Sequence, residues 1–276
     1  MRSHSLSLLL GLVCVAPAAA QVRPGIEVLL SDSIGLVTGK RVALLTNQTG
    51  VNRLGQRDID LVRGTPGVRL LVILSPEHGL RGTEDRPGLP DAVDSASGLP
   101  IYSLYGGTPL PAIAALDSDV VVLADLQDIG ARYYSYPTTA VLLLQEASRR
   151  GKPMVVLDRP NPVGGVAVQG NVPATARSVE RVGDFLPLPM RHGMTMGEVT
   201  RLANDLLGTR ARLTVVPAAG WRRAMYYDDT GLPWVRPSPN MPDLESALHY
   251  PGTCLFEGTN LSVGRGTAFA DCRGRL

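Results

Sequence analysis

Four short apolar runs constrain this chain more than any other feature in it. They are "RVALLTN" (41–47), "VRLLVIL" (68–74), "DVVVLADL" (119–126) and "KPMVVLD" (152–158). Each is almost continuously aliphatic or β-branched. A strand with one wet face alternates apolar and polar residues, whereas a strand covered on both faces does not. Between the last two runs, "TTAVLLLQEASRRG" (138–151) carries a helical pattern closed by Arg149, Arg150 and Gly151. "TMGEVTRLANDLLG" (195–208) is a second amphipathic helix, with Thr195 as N-cap and Glu198 completing a capping box. "ARLTVVPA" (211–218) is a further strand. Strands alternating with helices imply an α/β fold, a parallel sheet flanked by helices on both faces.

A chain of 276 residues, 44% of them hydrophobic and 19% charged, can bury a sizeable core. The net charge of +2 gives no reason to propose nucleic acid as a partner. The first twenty residues, "MRSHSLSLLLGLVCVAPAAA", read as a secretory signal peptide. Arg2 opens it, Leu6 to Val15 is too short to span a bilayer, and Ala18–Ala20 supply small residues for cleavage. The expected location is therefore secreted or periplasmic, with no membrane contact after cleavage. Cys254 and Cys272 would then meet an oxidising compartment in which they can pair.

Ligands of open parallel sheets bind outside the carboxyl ends of the strands. Three of the four runs lead into polar, glycine-marked loops there: "SPEHGLRG", "QDIGARYYSYP" and "RPNPVGG". Glu77 follows an apolar strand end and is either a general acid, which that place suits, or a glutamate that caps a helix or satisfies its own loop; His78 stands beside it to tune or orient it. Asp125 and Asp128 are each either a second carboxylate or the cap of a following turn. Arg132 among Tyr133, Tyr134 and Tyr136 suits a sugar ring or an anionic group, since aromatics stack and arginine pairs. Asn161 lies on the same edge. Arg191 and His192 precede a helix N-terminus, where backbone N–H groups favour anions. Glu257, Asn260 and Arg265 sit in "FEGTNLSVGRGT" (256–267). There Glu257 is either a second glutamate for a two-carboxylate mechanism or a loop residue paired with Arg265.

Other chemistries lack their motifs. No GxGxxG follows a strand, no GxxxxGK[ST] occurs, and there is no GxSxG elbow or HExxH. No Cys/His pattern suggests zinc, so neither a cofactor nor a metal is expected.

Seven motifs in order, "TNQTG", "SPEHGLRG", "DLQDIGARYYSYPTT", "LDRPNPVGG", "RHGMTMGE", "PSPNMP" and "YPGTCLFEGTNLSVGRGT", resemble the exo-β-N-acetylmuramidase family of glycoside hydrolases. The resemblance implies a Rossmann-like N-terminal domain and a smaller C-terminal domain, with the site in the cleft between them. It implies release of terminal N-acetylmuramic acid from the non-reducing end of peptidoglycan fragments, in cell-wall recycling, without cofactor. The family glutamate of the "PEHG" motif falls on Glu77. Asp125, Asp128, Tyr134 and Glu257 stay open for the second catalytic role, and Arg132, Arg191 or Arg265 for the lactyl carboxylate of muramic acid. The expected division is a signal peptide (1–20), a Rossmann-like core (21–165), its remaining elements and a connection (166–220), and the start of an incomplete C-terminal domain (221–276). Family members continue well past "GRGT", whereas here only "AFADCRGRL" follows. The resemblance thus implies a C-terminally shortened chain, expected to be poorly soluble or oligomeric and to have little or no muramidase activity.

Two rival functions stay open at this point. One is a muropeptide-binding protein that has lost turnover. The other is a secreted esterase or amidase using Ser75 and His78.

Overall fold

The computed structural model describes residues 21–86, 88–105, 119–173 and 185–265. The expected signal peptide and Cys272 lie outside the described residues. The strands are β1 (Arg41–Thr46), β2 (Arg69–Ser75), β3 (Ala92–Val93), β4 (Pro100–Ser103), β5 (Val120–Asp125), β6 (Met154–Leu157) and β7 (Leu213–Val216). They form one sheet in the order β3-β4-β2-β1-β5-β6-β7. Every pairing is parallel except β3 with β4. The helices are α1 (Gly25–Asp32), α2 (Asp58–Arg63), α3 (Ser135–Arg149), α4 (Met196–Leu206) and α5 (Leu244–Thr253). The expected α/β architecture is the observed one.

The continuous apolar runs have a simple cause. On β1, Ala43 and Leu45 point to the face covered by Ala140, Leu143 and Leu144 of α3. Val42 and Leu44 point to the opposite face, against Ile26 and Leu29 of α1 and Ile59 and Val62 of α2. Both sides of the strand are dry, so the sequence cannot alternate.

α3 begins three residues earlier than its periodicity predicts. Pro137 falls in the first turn, where a backbone N–H has no helical partner to lose. The helix ends as expected: Gly151 takes φ 63°, and the Lys152 N–H returns to the Ala147 carbonyl at 2.8 Å. The capping box of α4 is present, with the Glu198 N–H donating to Thr195 Oγ1 and the Thr195 N–H to Glu198 Oε2. Beneath it, Asp158 accepts from Thr195 Oγ1 at 2.6 Å and from the Gly197 N–H at 2.9 Å. A Cβ on Gly197 would stand 2.8 Å from Asp158 Oδ2 and 2.4 Å from Val215, so only glycine lets the carboxylate come this close.

The strand order decides where a site belongs. From β1 the chain moves outward to β2 and β4; from β5 it moves the other way, to β6 and β7. The connections diverge at the β1–β5 boundary and leave a crevice outside the carboxyl ends of the central strands.

Candidate functional site

Three ionisable groups lie beneath the crevice. Asp125, the last residue of β5, meets the Arg159 guanidinium through both carboxylate oxygens, with Nη2 to Oδ2 at 3.1 Å. The two side chains are 1% and 3% exposed. Arg159 Nη2 also donates to the Val51 carbonyl at 2.8 Å. Burial pushes the Asp125 carboxyl up and the Arg159 charge pulls it back. Asp58 lies nearby with its Oδ2 2.5 Å from Thr46 Oγ1, raised well above the usual range by burial and then by the Asp125 charge. Asp125 is thus engaged in a buried ion pair, a role that neither of its two sequence readings named.

Above this floor stand the tyrosines and Glu77. Tyr136 is fully buried; its hydroxyl accepts from Asn47 Nδ2 at 2.9 Å and donates to the Pro237 carbonyl. Gln48 Nε2 donates to the carbonyls of Arg236 and Pro237 at 2.8 and 3.1 Å. The late segment "RPSPN" is therefore fastened to the loop after β1. Burial raises the Tyr136 phenol, and the charge of Glu77 adds to the effect. Tyr105 is pushed up to about 12 by burial first and by the nearby Glu77 carboxylate second. Glu77 is half-buried and faces two phenols. His78 holds a left-handed conformation, φ 68°, and its Nδ1 lies 2.7 Å from the Glu84 carbonyl. Its ring therefore serves the following turn, and the described hydrogen bonds include none joining it to Ser75.

Tyr134 packs edge-on against Tyr136, ring centroids 4.8 Å apart, and against Tyr250 at 6.1 Å. Burial, reinforced by Tyr136, drives its phenol well up, with Ser238 acting the other way. Asp128 also bears on that phenol. His192 Nε2 is 3.2 Å from Asp128 Oδ2, and both side chains are buried. His192 Nδ1 accepts from the Met194 N–H at 3.1 Å, so the ring proton of the neutral imidazole sits on Nε2, toward the aspartate. Asp128 Oδ1, the Tyr134 hydroxyl and His192 Nε2 lack an aligned hydrogen-bond partner among the described residues.

The remaining sequence candidates are spread more widely. Arg132 donates Nη1 to the carbonyls of Asn171 and Leu188 at 2.8 and 2.6 Å, and lies 5.7 Å from the Tyr133 ring centroid. Arg191 donates to the Val163 carbonyl and to Gln169 Oε1. Asn161 accepts from the Val163 N–H and donates to the Met194 carbonyl, holding its own loop. Glu257 pairs with Arg265 at 2.8 Å, as one of its two sequence readings had it. Asn260 is exposed beyond α5. No cluster of His, Cys, Asp or Glu among the described residues is arranged to hold a metal.

Two cavities flank the ends of β1 and β2. One, of about 370 Å³, is walled by Asn47, Gln48, Arg57, Asp58, Arg81 and Asp94, among others. The other, of about 270 Å³, includes Ser75, His78, Arg81, Glu84 and Arg86. They share Leu80, Arg81, Thr83 and Asp94.

Residues 42–245 match the family model described as exo-beta-N-acetylmuramidase NamZ, N-terminal, and residues 248–270 match its C-terminal counterpart. The chain belongs to the NamZ family. It is 42% identical over 252 residues to the peptidoglycan beta-N-acetylmuramidase NamZ of Bacillus subtilis (strain 168), covering 90% of this chain and 59% of the relative. Two crystal structures of DUF1343 family proteins from Bacteroides fragilis NCTC 9343 superpose with TM-scores of 0.82 and 0.76, at 37% and 32% identity. They match 92% and 91% of this chain, and 65% and 66% of their own chains. The chain thus spans about three-fifths to two-thirds of these relatives' length.

Sequence reasoning singled out no residue in the NamZ motif "TNQTG", yet Asn47 and Gln48 reach the tyrosine and the late segment. Their position directly after a central strand was the available signal. Arg159 and Asp58 were missed because buried charges carry no mark in a sequence.

Proposed function

We propose that this chain carries the core of a glycosidase that removes terminal N-acetylmuramic acid from the non-reducing end of peptidoglycan fragments, outside the cytoplasm. The observation that carries the reading is the setting of Glu77: a half-buried carboxyl at the switch-point edge, beside the Tyr105 and Tyr136 phenols. The similarity to the Bacillus enzyme supplies the substrate class. In the reaction, protonated Glu77 gives its proton to the glycosidic oxygen as the C1–O bond breaks. Positive charge develops on the sugar ring, and water completes the hydrolysis at C1. Of the carboxylates weighed for a second role, Asp125 is held by Arg159 and Glu257 by Arg265. Asp128, which faces His192 at 3.2 Å, and Tyr134 beside it stay open for the second role.

The test is Glu77→Gln, which keeps shape and removes the proton. With a muramide bearing a poor leaving group, the chemical step should fall by roughly 10²–10⁴. An unchanged kcat on that substrate would remove Glu77 from the acid role. A strongly activated aryl glycoside is the wrong probe, since its leaving group needs little protonation. The binding-only alternative is separated in the same assay, because a binder retains muropeptides without releasing sugar.

A further inference from the structure

Resting on the muramic acid reading, we propose that Arg81 is the residue that recognises the lactyl carboxylate of the substrate. None of Arg132, Arg191 or Arg265, expected from sequence to do so, is available in the same sense. A guanidinium recognises a carboxylate best with two parallel N–H donors held open toward it. Arg132 is nearly buried and spends Nη1 on two backbone carbonyls. Arg191 is turned to the Val163 carbonyl and Gln169. Arg265 already faces Glu257 at 2.8 Å and Asp85 at 4.0 Å.

Arg81 differs from these in three respects. It lies on the loop that carries Glu77, four residues further along, inside the second of two consecutive turns at 76–79 and 79–82. Its side chain lines both cavities beside the ends of β1 and β2. Its one described hydrogen bond is from Nη2 to Ser95 Oγ at 3.2 Å, and no carboxylate among the described residues pairs with it. The other arginines of these walls do have such partners: Arg57 meets Asp60 and Asp94, and Arg86 meets Glu84. The larger cavity, about 370 Å³, falls within the range of about 300–1,000 Å³ usual for small-molecule sites. Gln48, in the same wall, keeps its buried Oε1 without a donor among the described residues, an acceptor suited to a sugar hydroxyl or amide N–H. Cation and acceptor in one cavity, the cation on the loop that carries Glu77 and the acceptor on the loop after β1, match an N-acetyl sugar bearing a carboxylate.

Arg236 is the competing candidate, exposed and without a described ion pair, but outside both cavity walls. The test is an NMR titration of the purified chain with N-acetylmuramic acid and with N-acetylglucosamine, which lacks the lactyl group. The wild type should favour muramic acid by ~10- to 150-fold, the range of one charge-assisted hydrogen-bonded contact. Arg81→Gln should abolish that preference, leave the weaker affinity for N-acetylglucosamine unchanged and melt like the wild type. Arg236→Gln should keep the preference. A preference that survives in Arg81→Gln, or disappears in Arg236→Gln, overturns the assignment while the muramic acid reading stands. A wild type that binds both sugars equally overturns the reading itself, and this assignment with it.

Discussion

Replacing Asp125 by Asn tests whether the charge beneath the crevice is structural. The substitution keeps the volume and strands the Arg159 guanidinium, which is 3% exposed, without its carboxylate. Removing one partner of a buried pair costs about 3–5 kcal/mol, against a total stability of about 5–15 kcal/mol for a domain. Asp58 sets where in that range the loss falls. Its carboxyl is held up by burial and by the Asp125 charge, and is drawn down by Arg159. With Asp125 neutralised, the repulsion goes and the attraction stays, so Asp58 ionises more readily and partly compensates Arg159. The expected loss is therefore near the lower end, about 3 kcal/mol. Adding Asp58→Asn should cost more in the Asp125→Asn background than in the wild type, a coupling measurable in a double-mutant cycle. Urea unfolding followed by circular dichroism gives all four stabilities, with a common m-value expected. An apolar pair, Asp125→Leu with Arg159→Met, should regain most of the loss. If Asp125→Asn unfolds at the wild-type midpoint whether or not Asp58 is present, the buried-pair argument is refuted.

Asp158, raised to about 6 by burial, should make stability fall with pH across its titration. The folded state binds the extra proton between the unfolded value near 3.8 and the folded value, so stability is greatest below that window and declines through it. Relative to wild type, Asp158→Asn should become more stable by ~3 kcal/mol between about pH 3.5 and pH 7; a pH-independent difference would contradict this. Tyr136→Phe leaves Asn47 Nδ2 and the Pro237 carbonyl without their shared hydroxyl. It should cost ~1–3 kcal/mol, read as faster hydrogen exchange in the late segment, which releases before the sheet; unchanged exchange there would show that the hydroxyl is dispensable. Gly130 has φ 80°, and a Cβ there would lie 2.5 Å from Asn161 Oδ1. Gly130→Ala should therefore lower the melting temperature, whereas Gly151→Ala, with an open site and φ 63°, should lower it less; equal losses would remove the steric part of the argument.

The central strands were legible because two covered faces leave an unbroken apolar run, and α4 because Thr195 and Glu198 spell out its start. α1 and α2 were not, with eight and six residues, too few to establish a helical period. α2 also opens with Asp58, a charged residue that the fold buries. β4 begins at Pro100 and has four residues, so its local chemistry resembles a loop's. At the site, the position of Glu77 was visible as a charged residue ending an apolar strand. The commitments of Arg132 and Arg191 were not, because backbone carbonyls accept from any sequence. Asp125 and Asp128 look alike in the chain, and what separates them is Arg159, 34 residues after Asp125.

The fastening of "RPSPN" to the loop after β1 also sets an order of assembly. Gln48 and Arg236 are 188 residues apart, and closing so long a loop in an unfolded chain carries a large entropic cost. Once the sheet has formed, β7 ends at Val216, on the same scaffold as β1, and only about twenty residues of slack separate it from the late segment. The sheet is thus the precondition for the fastening, which closes late during folding. Its few polar contacts also form a smaller cooperative unit than the strands and release before them as denaturant rises. In a urea series, the Glu77 edge of the crevice should come apart while the parallel sheet still gives its full circular dichroism signal.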